Sequence, residues 1–287
     1  MNRRVWLMAT LAVAMLFTTN VGAETAAEVV AKIRDGIDPH DSIEVWEITI
    51  TFPDNPRKPG KQLILAKKIE GDGDSSRADF LTPESEEGNS EHSHAFVGLR
   101  YLTKLSHGKI VAVGTLYQPS RRTTRVVQPP PMKPVLPDLP VPFFWLSLHG
   151  YLAKYSKWGM EGNAVFTLPP PENSLEKGNP RGLPKLRIEF FEKEETYLIS
   201  KLVIDQDGDR YLLSFEGYGE IREGEFRPRA IIASGRDGGK VRATIDAAWY
   251  WGTSAPYAAI FSLGGFKDEM LSPAQLFDGH EVAEKRR

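Results

Sequence analysis

Apolar positions change period several times along this chain, and each change marks an element. Residues 25–34 place Ala26, Val29, Val30 and Ile33 on one side at helical spacing, and Gly36 follows. This predicts a short N-terminal helix that stops at the glycine. From Ser42 the period becomes two. Trp46, Ile48, Ile50 and Phe52 fall on one face and Glu47, Thr49 and Thr51 on the other, until Pro53 breaks the alternation. Residues 61–70 repeat it with Leu63, Leu65 and Ile69, after the turn formers Asn55, Pro56, Pro59 and Gly60. The two segments read as a hairpin.

The next expectations are a turn over 71–76, a strand over 77–81, a polar acidic loop over 82–94, strands over 95–104 and 109–117, and extended chain over 121–127. The segment 128–142 is so rich in proline that neither a helix nor a central strand can form, which makes it an extended connector. Residues 143–158 then carry Phe144, Leu148, Tyr151, Leu152 and Tyr155 at helical spacing, predicting one amphipathic helix despite Gly150. Strands follow over 164–168, 185–192, 196–205, 210–216, 226–234 and 241–251. Turns over 192–195, 205–209, 217–224 and 235–239 separate the later ones, and a short helix is expected over 273–277. Many short strands, hairpin turns and few helices predict a mainly β (α+β) fold built on one large antiparallel sheet, curled or closed.

The N-terminus changes the picture. Arg3 and Arg4 precede an apolar run over 5–17 and then Val21-Gly22-Ala23, the pattern of a secretory signal peptide cleaved after Ala23. The run is shorter than the ~20 residues that span a bilayer. The expected mature chain, 24–287, is a single exported domain with the proline-rich connector at 128–142. With 0 Cys it has no disulfide, no lipid-modified N-terminal cysteine and no Cys-ligated metal. A formal net charge of -2 argues against a nucleic-acid partner.

Candidate chemistry is sparse. His92-x-His94 is the one close pair among 6 histidines, and no third ligand at metal-site spacing accompanies it. Asp205-x-Asp207-Gly-Asp209 resembles the start of a calcium loop, but its glycine comes too early and the bidentate glutamate is missing, so a hairpin turn explains it better. No nucleophile elbow, P-loop or His-Glu-x-x-His occurs, and the acid pairs Glu194-Glu195 and Asp207-Asp209 sit in solvated turns. No catalytic residue, metal or cofactor is assigned, and the expectation is a protein that is not an enzyme. Aromatic residues are more telling. Trp46, Phe52, Phe80, Phe96, Phe143, Phe144, Trp145, Tyr151 and Trp158 exceed what one sheet face needs, and few helices are available to cover that face. Incomplete cover leaves a concave apolar groove.

Several motifs carry a resemblance. Gly108-Lys109 leads through Thr115-Leu116-Tyr117-Gln118-Pro119 to Arg121 and Arg122. Ala164-Val165-Phe166-Thr167-Leu168-Pro169 is followed by the segment 186–191, an acidic turn, the segment 198–204 (LISKLVI) and the segment 205–215 (DQDGDRYLLSF), with Phe261-Ser262-Leu263 near the end. This order resembles LolA-like carriers of outer-membrane lipoproteins. The resemblance implies an unclosed β-barrel with a helical lid, whose cavity shelters the acyl chains of a lipoprotein or another lipid in the periplasm. Trp46, Ile48, Ile50, Leu63, Leu65 and Phe96 would line the cavity. Phe143, Phe144, Trp145, Leu148, Tyr151 and Leu152 would form the lid. An inner-membrane transporter and an outer-membrane acceptor would be the protein partners, and Phe261 would lie in a closing strand. An envelope sensor of the same fold, docking a protein through 128–142 without transport, is the alternative.

Overall fold

Thr25 caps the first helix, α1 (Ala26–Ile37): its hydroxyl accepts from the Glu28 N–H at 3.3 Å, and the Glu28 carboxylate accepts from the Thr25 N–H at 2.7 Å. This reciprocal box satisfies two otherwise orphaned donors. Val29, Val30 and Ile33 form its buried face. The chain is a computed structural model describing residues 24–38, 42–57, 60–70, 73–81, 100–105, 112–118, 123–127, 148–169, 183–206, 208–235, 239–252, 261 and 283–286.

The strands build from two meanders. The first is β1 (Ser42–Thr51), β2 (Lys61–Glu70), β3 (Gly73–Leu81), β4 (Arg100–Leu105), β5 (Ala112–Gln118) and β6 (Thr123–Val127), each antiparallel to the one before. After the second helix, α2 (Leu148–Leu152), come β7 (Trp158–Glu161), β8 (Ala164–Thr167), β9 (Lys185–Lys193), β10 (Thr196–Gln206) and β11 (Asp209–Glu216). A separate ribbon of β12 (Gly219–Arg222) and β13 (Glu225–Arg227) precedes β14 (Ala230–Ser234), β15 (Lys240–Gly252) and β16 (Ala283–Arg286).

The seam between the meanders is the β1–β15 pair, in register from Ser42 opposite Gly252 to Thr51 opposite Arg242, with a bulge at Glu47 and Ile48. The strand order is therefore β6-β5-β4-β3-β2-β1-β15-β14-β11-β10-β9-β8-β7, with β16 alongside the far half of β15. Among the described residues the terminal strands β6 and β7 are not joined to each other, so the sheet is a barrel left open. Direct cross-strand partners share a face. Trp46 stands opposite Leu65 and Ile48 opposite Leu63, which unites the alternating apolar positions of β1 and β2.

One face of the sheet carries the main core. Trp46, Ile48 and Ile50, Leu63 and Leu65, Leu186 and Ile188, Leu202 and Ile204, Leu213 and Ile231 pack there with Val29, Val30 and Ile33 of α1 and with Leu148, Leu152 and Tyr155. We call this the inner face. On β1 and β2 the opposite face is also apolar in part, since Ile43, Val45, Ile64 and Ala66 are buried.

Several expectations need correction. The helix expected over 143–158 spans Leu148–Leu152 among the described residues; 153–157 leave it, and Trp158 opens a strand. Gly150 weakens the helix, while Trp158 finds a backbone partner in Thr167. Gly36 does not stop α1, which runs on to Ile37. A Cβ at Gly36 would lie 2.9 Å from Thr196 Cγ2 and 3.1 Å from the Tyr197 carbonyl, so the glycine serves close packing on β10. β3 begins at Gly73, inside the expected turn. The turn expected over 217–224 contains β12, and the strand expected over 226–234 is divided at Pro228, which has no N–H for a ladder. At the break Arg229 N–H donates to Glu216 O at 2.9 Å and Arg229 O accepts from Ile245 N–H at 2.8 Å, so the backbone stays satisfied. Phe261 is buried but lies outside any strand. The polar loop over 82–94, the connector over 128–142 and the helix over 273–277 lie outside the described residues.

Candidate functional site: an apolar hollow closed by two helices

An apolar hollow lies between the C-terminal end of α1, the start of α2 and the inner face. Gly36 and Ile37 form one wall, Leu148 another, and Trp46 contributes from β1. Leu198 and Ile199 of β10, Phe215 of β11 and Ile231 of β14 complete the sheet side, and Tyr218, Phe226 and Pro228 close the end near the ribbon. Its cavity volume is about 40 Å³, room for a few water molecules and far less than an acyl chain requires.

Two ionic groups stand in this apolar wall. Glu44 is 1% exposed and Arg227 5%. Arg227 Nε donates to Glu44 Oε1 at 2.8 Å, Nη1 donates to the carbonyls of Gly36 at 2.9 Å and Phe226 at 3.0 Å, and Nη2 lies 4.0 Å from Glu225 Oε2. Trp46 Nε1 donates to the same Glu44 oxygen. The guanidinium fork thus ties β1, the ribbon and the end of α1 together at one point. Tyr218 donates its hydroxyl to Ile199 O at 2.7 Å, and burial raises its pKa above the usual phenol value. On the other side of Gly36, a polar notch of about 170 Å³ is lined by Lys32, Asp35, Glu195, Thr196, Gly224 and Glu225.

The residues expected to line a cavity are placed as follows. Trp46 borders the hollow, whereas Ile48, Ile50, Leu63 and Leu65 are packed in the core of the inner face. Of the expected lid residues, Leu148 borders the hollow, Leu152 is buried in the core, and Tyr151 lies within α2. Phe96, Phe143, Phe144 and Trp145 lie outside the described residues, as does the His92-x-His94 pair. Glu44 and Arg227 were missed. A signal was present for Glu44, which has the same parity as Trp46, Ile48 and Ile50 and so puts a carboxylate on the apolar face. That placement demands a buried cation.

An open antiparallel barrel with helices laid on its inner face defines the class: this is a LolA-like fold. No protein-family model matches the sequence, and no curated protein matches it. Solved structures do. A domain assigned to outer membrane lipoprotein sorting, from Vibrio parahaemolyticus, superposes with a TM-score of 0.62 at 16% identity, over 85% of this chain and 100% of its own. A DUF1329 family protein from Desulfovibrio piger gives 0.58 at 12% identity, over 84% and 97%. A LolA superfamily protein from Nitrosomonas europaea gives 0.54 at 14% identity, over 85% and 100%. At these identities the likeness is one of fold.

Proposed function

We propose that the mature protein, cleaved after Ala23, is a periplasmic carrier that holds acyl chains of a lipoprotein or another lipid against the inner face, and that α2 is its lid. The observation that carries this reading is the apolar hollow on the inner face, one wall of which, Leu148, belongs to a short helix rather than to the sheet. Each methylene withdrawn from water gains about 0.8 kcal/mol, so an anchor with several chains needs shelter on the order of tens of kcal/mol to cross an aqueous space. A carrier must also release its cargo. A lid that covers the empty hollow with Leu148 makes loading an exchange of one apolar neighbour for another.

In this reading Trp46, Ile48, Ile50, Leu63 and Leu65 form the wall exposed to cargo as the lid leaves, and Phe96, Phe143, Phe144, Trp145, Tyr151 and Leu152 extend wall and lid. The sorting role assigned to the Vibrio parahaemolyticus domain supports carriage over a catalytic role. A transporter in the inner membrane and an acceptor in the outer membrane are the partners such a carrier needs. The test is mass spectrometry of organic extracts from the mature protein purified from an envelope fraction. Stoichiometric acyl lipid, lost in a Leu148→Asp variant that remains folded by circular dichroism, is the expected result. A lipid-free protein that takes up no lipid from vesicles overturns the proposal.

A further inference from the structure

A buried titratable side chain sits where the two helices meet. His149 of α2 is 3% exposed, and its Nε2 stands 3.7 Å from Oδ2 of Asp38, the residue that ends α1. Their chain neighbours Leu148 and Ile37 both line the hollow, so the contact joins α2 to α1 at its rim. Two features there favour a protonated imidazole: the Asp38 carboxylate, and the last carbonyls of α1, which form the negative end of the helix dipole. Burial opposes it. The attraction prevails because the Asp38 side chain keeps 25% exposure, so one charge of the pair stays hydrated while the contact itself is weakly screened. Arg34 and Asp35 in the same last turn of α1 carry opposite charges, and Glu44 and Arg227 at the hollow are paired with each other. β3, which also packs on α2, brings Asp74, Arg77 and Asp79, and of these only Asp74 occupies a register position in line with Leu63 and Leu65 of β2.

We infer that His149 and Asp38 form a proton-controlled tie, which holds α2 on the end of α1 while the imidazole is protonated and weakens when it is neutral. The closed form binds the extra proton, so raising the pH favours opening. Histidine ordinarily changes charge between about pH 5 and 8, so α2 is held more firmly at the acid end of that range and loading is easier at the alkaline end. This rests on the carrier reading and adds a control to its lid.

The experiment follows hydrogen exchange of the mature protein at about pH 5 and about pH 8, corrected for intrinsic rates, at the Ala153 amide, which donates to the His149 carbonyl at 3.2 Å. Protection there should be about fivefold lower at the alkaline pH, while that of Ala26 to Ile37 stays level. Asp38→Asn and, separately, His149→Gln should abolish the difference, each variant being checked for folding by circular dichroism; the second also assigns the response to this histidine among the 6 of the chain. Uptake of a pyrene-labelled phosphatidylcholine from phosphatidylcholine vesicles should be faster at the alkaline pH in the native protein and equal at the two in Asp38→Asn. Protection or uptake that ignores pH, protection that rises with pH, or a dependence that survives both substitutions overturns the inference and leaves the carrier reading standing. No uptake at either pH removes the carrier reading and the inference with it.

Discussion

α1 and α2 both lie on the inner face, yet the first is twelve residues long and secured at both ends, while the second is five residues long and enters the core through Leu148 and Leu152. At its start α1 has the Thr25–Glu28 box, and Glu24 accepts from the Tyr197 hydroxyl at 2.6 Å and from Lys32 at 2.5 Å. At its end the Gly36 carbonyl accepts from Arg227. Beyond α2, Tyr155 donates to Pro184 O at 2.6 Å, and within it His149 Nε2 lies 3.7 Å from Asp38 Oδ2. A five-residue helix has too few hydrogen bonds to stand alone, so α2 exists only while its leucines are buried. Under the proposed carrier function the contrast makes α1 the scaffold and α2 the lid.

The largest expected effect comes from the buried pair. Arg227→Met should cost about 3–5 kcal/mol in urea unfolding, because Glu44 is left charged and buried, and adding Glu44→Met should recover much of the loss. Next come the two helices themselves. Ile33→Ala in α1 should lower global stability by about 2–5 kcal/mol, and Leu148→Ala should cost less, since α2 can open locally before the sheet unfolds. Equal losses would break the distinction between scaffold and lid.

Gly36→Ala sets overpacking of about 1–3 kcal/mol against roughly 1 kcal/mol of helix propensity gained, so a net loss of about 1 kcal/mol is expected in the same assay. Thr25→Ala should cost about 1 kcal/mol by removal of the cap. The smallest effect is that of pH. The hydrogen bond from Lys32 and then that from Tyr197 hold the Glu24 pKa below the ordinary 4.5, and the Thr25 backbone and then its side chain do the same for Glu28. A depressed carboxylate pKa adds stability above the unfolded value and loses it as pH falls through the folded one. Both groups are exposed, so a slight loosening of the α1 N-terminus below pH 4.5, followed by amide exchange, is the expected result.

Much of the sheet was legible because period-two alternation is a local signal. β2 falls at the expected residues, and β1, β9, β10, β11 and β15 within one or two of them. The helices were harder to read. The aromatic spacing over 143–158 satisfies a helical period, but Gly150 and the pairing of Trp158 with Thr167 are decided by tertiary contact. Gly36 looks like a stop signal in one dimension and is a contact with Thr196 in three. The site was less legible than the fold. Glu44 betrays itself by parity, but its partner lies 183 residues away, and local sequence does not show that Arg227 points inward to meet it.

Hydrogen exchange of the mature protein, alone and loaded with a diacylglycerol, tests the division between fixed and moving helix most directly. The account predicts that amides of Leu148 to Leu152 lose protection on loading while those of Ala26 to Ile37 keep theirs. Bound lipid with α2 equally or better protected, or with α1 released instead, would contradict it.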